Sequence, residues 1–154
     1  MANTQAVANS FKAEVMAGVH ALGTTVTRAG TGADTIKAAL YLATATINYD
    51  TTAYSATGEV SGTNYSAGGV TVTNGNAPAN STGATGKGYW TPSASIVYSN
   101  VTLSTAFDCV LLYNSSQGNK AIAAYTFGSQ TVTAGNFSLT MPTNDATSGL
   151  LRLG

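Results

Sequence analysis

Apolar and polar positions interrupt each other every few residues along most of this chain, and one stretch departs from that habit. Residues 107–127, FDCVLLYNSSQGNKAIAAYTF, hold an apolar block at 110–113, a second at 121–127, and a polar, glycine-containing break at 114–119. The break has the Asn, Ser and Gly that turns require, so the stretch predicts a hairpin. A strand as apolar as CVLLY is buried on both faces or lies at a sandwich core, and a lone hairpin cannot cover itself. The rest of the chain has to supply a second layer.

Near the N-terminus Val7, Phe11, Val15 and Val19 recur at a spacing of four, behind Asn3 and Thr4, two residue types that cap helices. This predicts an amphipathic helix over about 4–19, ended by Gly18 and Gly23, with Lys12 and Glu14 off the apolar stripe. Its Phe11 and Val15 are expected to lie on the β-structure; docking on a neighbouring subunit is the alternative. Residues 28–34 (RAGTGAD) read as a turn into a strand over 35–42. The polar, glycine-rich stretch 51–69 is either a loop over the sheet or an arm reaching outwards. Residues 70–73 alternate as a half-buried strand before the Asn74-Gly75 turn signal. Residues 76–88 lose their apolar content and read as a mobile loop closed by Tyr89 and Trp90. Further strands are expected over 93–103 and 150–153, with two short strands or a bent pair over 131–141 around Ala134-Gly135-Asn136. About seven strands after one helix predict a mainly β fold in a single domain over 1–154. A β-sandwich is expected, with a barrel as alternative, an N-terminal helix over about 4–19 and a β-rich body over about 24–153.

Composition sharpens this picture. A chain of 154 residues can enclose a core without a disulfide or metal staple. Only 8% of its residues are charged, against about 25% in an average soluble protein. Six basic and six acidic side chains give no net charge, which leaves no electrostatic footprint for nucleic acid or an anionic membrane. A surface of Thr, Ser, Asn and Gly repels its neighbours poorly, as suits a protein that contacts other subunits. The single Cys109 sits in an apolar strand, where a buried, inert thiol is expected. The N-terminus lacks the pattern of a signal peptide, and no run reaches the roughly 18–20 apolar residues of a membrane span; synthesis and folding in a cytoplasm are expected.

Candidate chemistry is sparse. His20 falls near the end of the expected helix, where a cation is favoured, so a capping role accounts for it. Glu14, Asp34, Asp50, Glu59, Asp108 and Asp145 are scattered, and read as turn formers and solvated side chains. Residues 83–88 (GATGKG) lack the first glycine and the final Ser/Thr of a phosphate loop. The serine of Gly58-Glu59-Val60-Ser61-Gly62 stands one place late for a nucleophile elbow. The sequons at Asn64, Asn80, Asn100, Asn114 and Asn136 follow from composition. Tyr41, Tyr49, Tyr54, Tyr65, Tyr89, Trp90, Tyr98, Tyr113 and Tyr125 either pack in the core and at edges or converge on a sugar-stacking platform; packing is the simpler account. No catalytic, cofactor-binding or metal-binding residue is nominated.

Several stretches stand out together: Ser10-Phe11-Lys12 with Glu14 and Gly18, Asp34-Thr35-Ile36-Lys37 with Ala39-Leu40-Tyr41, and residues 57–63 with Tyr65 and Ala67-Gly68-Gly69. They continue with Tyr113-Asn114-Ser115-Ser116, Asn119-Lys120-Ala121, Phe127-Gly128-Ser129 and Leu150-Leu151-Arg152-Leu153. In these stretches the chain resembles small virion structural proteins of tailed bacteriophages. The similarity spans nearly the whole chain, and residues 74–100, where it is weak, are the place for a partner-specific loop. The resemblance implies a non-enzymatic particle component, assembled in the host bacterial cytoplasm and located in the virion. A capsid decoration (cement) protein is the first expectation; a tail or head-tail component and a carbohydrate-binding adhesin are the alternatives. Implied partners are the major capsid protein and copies of the chain itself, as a homo-oligomer with a trimer as the first guess. Neither nucleic acid nor membrane is among them, and no cofactor is implied. The helix and residues 51–69 are the expected bridging elements.

Overall fold

The computed structural model describes residues 3–16, 18–24, 32–82 and 86–154. In chain order they form β1 (Ala6–Val7), α1 (Asn9–Met16), β2 (Ile36–Leu42), β3 (Val70–Thr71), β4 (Ala79–Asn80), β5 (Gly88–Trp90), β6 (Ile96–Asn114), β7 (Lys120–Leu139) and β8 (Leu151–Leu153). The fold is mainly β, in two antiparallel sheets with strand orders β1-β7-β6-β2-β3 and β4-β5-β8. Neither sheet closes on itself among the described residues, so the barrel alternative is not adopted.

The apolar block of the sequence lies at the centre of the larger sheet. Its turn is the expected one, with Gly118 and Asn119 at φ of 63° and 59°. Both strands continue well beyond the expected ends. β6 absorbs the separate strand expected over 93–103, and β7 absorbs the strands expected over 131–141. The two strands stay paired through this length across register shifts near Tyr98, Val101, Leu103 and Phe107, bulges or irregularities of the kind that re-aim the side chains after them.

Alternation divides the inner part of the sheet into two faces. Ile36, Ala38 and Leu40 of β2 share one face with Val110, Leu112 and Asn114 of β6, while Lys37, Ala39 and Tyr41 share the other with Cys109, Leu111 and Tyr113. The first face meets the N-terminal region and the segment before β8: Asn114 bonds His20, and the Tyr125 hydroxyl donates to Leu150 O at 2.7 Å. The second is covered by residues 51–69: Tyr54 stacks on Tyr113 with ring centroids 4.8 Å apart, and the Tyr113 hydroxyl donates to Gly68 O at 2.8 Å. Of the two fates foreseen for 51–69, the loop over the sheet is the one adopted. Its approach is close enough to require glycine, because a Cβ at Gly69 (φ 68°) would stand 1.7 Å from Ala38 O. Buried residues from both faces, with Phe11, Trp90 and Leu151, form one hydrophobic cluster.

The expected helix over 4–19 is corrected. Ala6 and Val7 pair with Ala124 and Ala123 of β7 instead, since the free edge of β7 offers hydrogen bonds that a helix start does not. Among the described residues only Asn9–Met16 is helical. Gly18, with φ 69°, ends it as expected: Gly18 N–H donates to Val15 O and Val19 N–H to Glu14 O, a Schellman closure. Phe11 is fully buried and Val7 packs against the core from β1, whereas Val15 is 37% exposed, so within α1 the apolar stripe enters the core at Phe11 and not at Val15. The loop expected over 76–88 is also corrected, because it contains β4 and the start of β5; the Trp90 indole N–H holds Asn76 O at 3.0 Å. Most of the glycine-rich turn expected over 28–34, and residues 83–85 of the phosphate-loop near miss, lie outside the described residues.

Candidate functional site: two carboxylate networks and an open strand edge

The scattered carboxylates are not all solvated turn formers. Asp34 is 5% exposed. Its Oδ2 accepts the Ala21 N–H and the Asn114 Nδ2, each at 2.7 Å, and its Oδ1 accepts Gln117 Nε2 at 3.3 Å. The Asn114 amide is thereby oriented, since its Oδ1 takes the Ser116 N–H. Its second N–H then meets His20 Nδ1 at 3.1 Å. With Nδ1 accepting, His20 carries its proton on Nε2 and donates to Glu14 Oε2 at 2.8 Å, while Lys120 Nζ holds Glu14 Oε1 at 2.7 Å. Desolvation pushes the Glu14 carboxyl up, but the bonds from Lys120 and His20 together outweigh it and hold the group below its ordinary range.

His20 is therefore not the expected helix cap. Its side chain is 1% exposed, its ring lies 4.7 Å from that of Phe11, and both nitrogens are engaged. A general base needs a free nitrogen within reach of its substrate; here the imidazole ties the end of α1 to the hairpin turn. An apolar cavity of ≈ 260 Å³ adjoins it, walled by Phe11, Leu22, Tyr89, Trp90 and Leu151 among others.

A second network closes over the opposite face. Glu59 Oε2 accepts the Tyr54 hydroxyl at 2.6 Å; Oε1 accepts the Tyr65 hydroxyl at 2.7 Å and the Gly68 N–H at 2.8 Å. The Tyr65 oxygen also accepts the Leu40 N–H at 3.0 Å, and the Tyr98 hydroxyl donates to Ala38 O at 2.9 Å. Tyrosine hydroxyls thus add bonds to β2, at Leu40 beyond β3 and at Ala38 opposite Val70. Burial, then the bond to Glu59, raises Tyr54 to about 12. Burial likewise raises Tyr41, Tyr65, Tyr98, Tyr113 and Tyr125.

The remaining candidates stay local. Asp50 sits in an exposed turn, its N–H bonded to Asn48 Oδ1. Asp145 caps the Thr147 and Ser148 N–H groups, which hold its carboxyl below the ordinary range. Both are turn formers, as expected. Asp108 departs from that account: it accepts Asn3 Nδ2 at 2.6 Å. Cys109 is fully buried, and burial, with the Asp108 charge adding to it, pushes its thiol up to about 12. Among the described residues no three of His, Cys, Asp and Glu form a metal-holding group, and no helix is long and apolar enough to cross a membrane. Gly58 and Gly62 flank a bridge between Glu59 and Tyr41, not a nucleophile turn. Of the five sequon asparagines, Asn114 is fully buried.

The aromatics pack rather than form a platform around Trp90, which is 1% exposed. Phe107 meets Phe127 and Phe137 edge-on, Phe137 lies 6.0 Å from Tyr98, and Tyr98 stacks on Tyr65. This row backs the outer half of the β6–β7 ribbon, residues 96–106 and 128–139. That half contains no charged side chain. Its β7 strand exposes Ser129, Gln130, Thr131, Thr133, Asn136 and Ser138, and β1 pairs with β7 only at Ala123 and Ala124. Composition had signalled the uncharged surface, but not its concentration on one ribbon.

No family model, curated protein or solved structure matches this chain.

Proposed function

We propose that this chain is a non-enzymatic structural protein of a bacteriophage particle, a β-sandwich that decorates the assembled head and cements it. The reading rests on the sequence resemblance, and the observation that supports it is the uncharged, hydrogen-bonding face of the outer β6–β7 ribbon. Such a face meets another protein without stripping water from charges, a step that costs several kcal/mol per ion. A protein that binds only the assembled shell shifts the equilibrium toward assembly, and many identical sites turn modest contacts into avidity. Residues 51–69 are fastened to the sheet through Glu59, so bridging falls to the ribbon in place of that segment. The partners are then the major capsid protein and further copies of this chain.

Copy number in purified particles tests the proposal. A cement protein is present in near-stoichiometric ratio to the major capsid protein, and its deletion lowers particle survival on heating. A few copies that travel with tails would make it a tail component instead. Absence from finished particles would end the virion reading altogether.

A further inference from the structure

We infer that the open edge of β7, residues 128–139, is a self-association strand at which a second copy of this chain adds antiparallel and extends the larger sheet. An unpaired strand edge is a template for another strand, and sheets ordinarily blunt it with lysine, proline, bulges or a very short edge strand. The other edges here are blunted by length. β1, β3 and β4 are two residues long and β8 is three. The far side of outer β6 is covered, Thr63 and Thr102 exchanging backbone bonds and Asn64 Nδ2 donating to Asn100 O.

Edge β7 is different. Between Lys120 and Asp145 the sequence has no charged residue, and between Pro92 and Pro142 it has no proline. Among the described residues no strand pairs with 128–139 on its outer side. Its local guards are the register shifts against β6 between Thr126 and Phe137 and the kink at Ala134 (φ 45°), and the stretch remains strand on either side of that kink.

Charge favours a second copy as the occupant. Two uncharged edges place no like charges opposite each other in any antiparallel register, and each presents Thr, Ser and Gln to the same residue types, pairs that stabilise neighbouring strands. The molecule as a whole carries no net charge to oppose the approach. Pairing of identical edges is isologous and closes at two copies, in contrast to the three-fold guess. The inference stands whether or not the chain belongs to a virus particle.

Sedimentation velocity on the full chain tests it, with Thr131→Lys/Thr133→Lys as the edge variant and Thr57→Lys/Ser61→Lys carrying the same charges elsewhere. The expected result is a dimer that the edge variant weakens roughly a hundredfold in dissociation constant and the control leaves intact. Circular dichroism and the melting curve check that both variants are folded. Should the edge variant not fold, hydrogen exchange on the unaltered chain decides: amides in 128–139 lose protection on dilution while those of 109–113 keep theirs. A monomer at all concentrations, or an oligomer indifferent to the edge charges and to dilution at those amides, overturns the inference. A monomer that still binds shells and loses that binding in the edge variant also overturns it, and assigns the edge to the shell protein.

Discussion

Between residues 107 and 114 β6 is buried at every position but Asp108, whereas between 96 and 106 buried residues alternate with exposed ones such as Val97, Ser99, Asn100, Ser104 and Thr105. β7 changes in the same way, from Ala121–Ala124, all buried, to the exposed polar positions after 128. The same two strands are covered on both faces at one end and on one face at the other. The inner end has residues 51–69 on one side and the N-terminal region with the segment before β8 on the other. Burial of a strand is therefore set by what lies above and below it, and its sequence adjusts residue by residue. The inner half holds the fold together, while the outer half is a surface with a scaffold behind it.

The contrast is sharpest in the core. Leu111→Ala in the inner half is expected to cost about 2–5 kcal/mol, and Val132→Ala in the outer half about 1 kcal/mol or less. Urea denaturation at constant slope would show both, and equal losses would erase the distinction. Next comes the polar pairing at each end. Asn114→Ala takes one of several donors from Asp34 and the donor from His20 Nδ1 and should cost about 2–3 kcal/mol, whereas Asn136→Ala removes one exposed bond to the Asn100 N–H and should cost about 1 kcal/mol or less.

A smaller effect appears in acid. Glu14 titrates below its ordinary 4.5 in the folded chain, so its contribution is complete above that value and is lost as pH falls through the folded value. Stability measured from pH 6 downwards should decline in that window, and Glu14→Gln should flatten that part of the decline. A decline unchanged in the variant would detach Glu14 from the inner network. Least of all should happen to Cys109 under a thiol reagent near pH 8. The native chain should stay unmodified and the urea-unfolded chain should react, as thiolate is scarce and access closed.

The sequence made the inner half legible because its signals are local. The run 110–113, the turn at 114–119 and the run 121–127 each announce themselves, as does the glycine that closes α1. The outer half was obscured by its own polarity. Gly128-Ser129 looks like a turn, and pairing with a partner strand draws it into β7, since β-propensity depends on context; Asn100, inside the strand expected over 93–103, takes a left-handed φ of 51° at a register shift. Val7 kept its helical spacing on paper but was captured by an edge strand more than a hundred positions away in the sequence. The carboxylate networks were illegible for the same reason. Asn114 lies 80 residues from Asp34 and 94 from His20, and nothing local ties them.

A sealed native sulfhydryl also makes the molecule easy to instrument. With Cys109 silent, a cysteine introduced at any exposed position would be the sole attachment point for a fluorophore or spin label. Distances between copies, or from a copy to whatever it sits on, can then be read without first removing the natural thiol from the tightly packed strand that holds it.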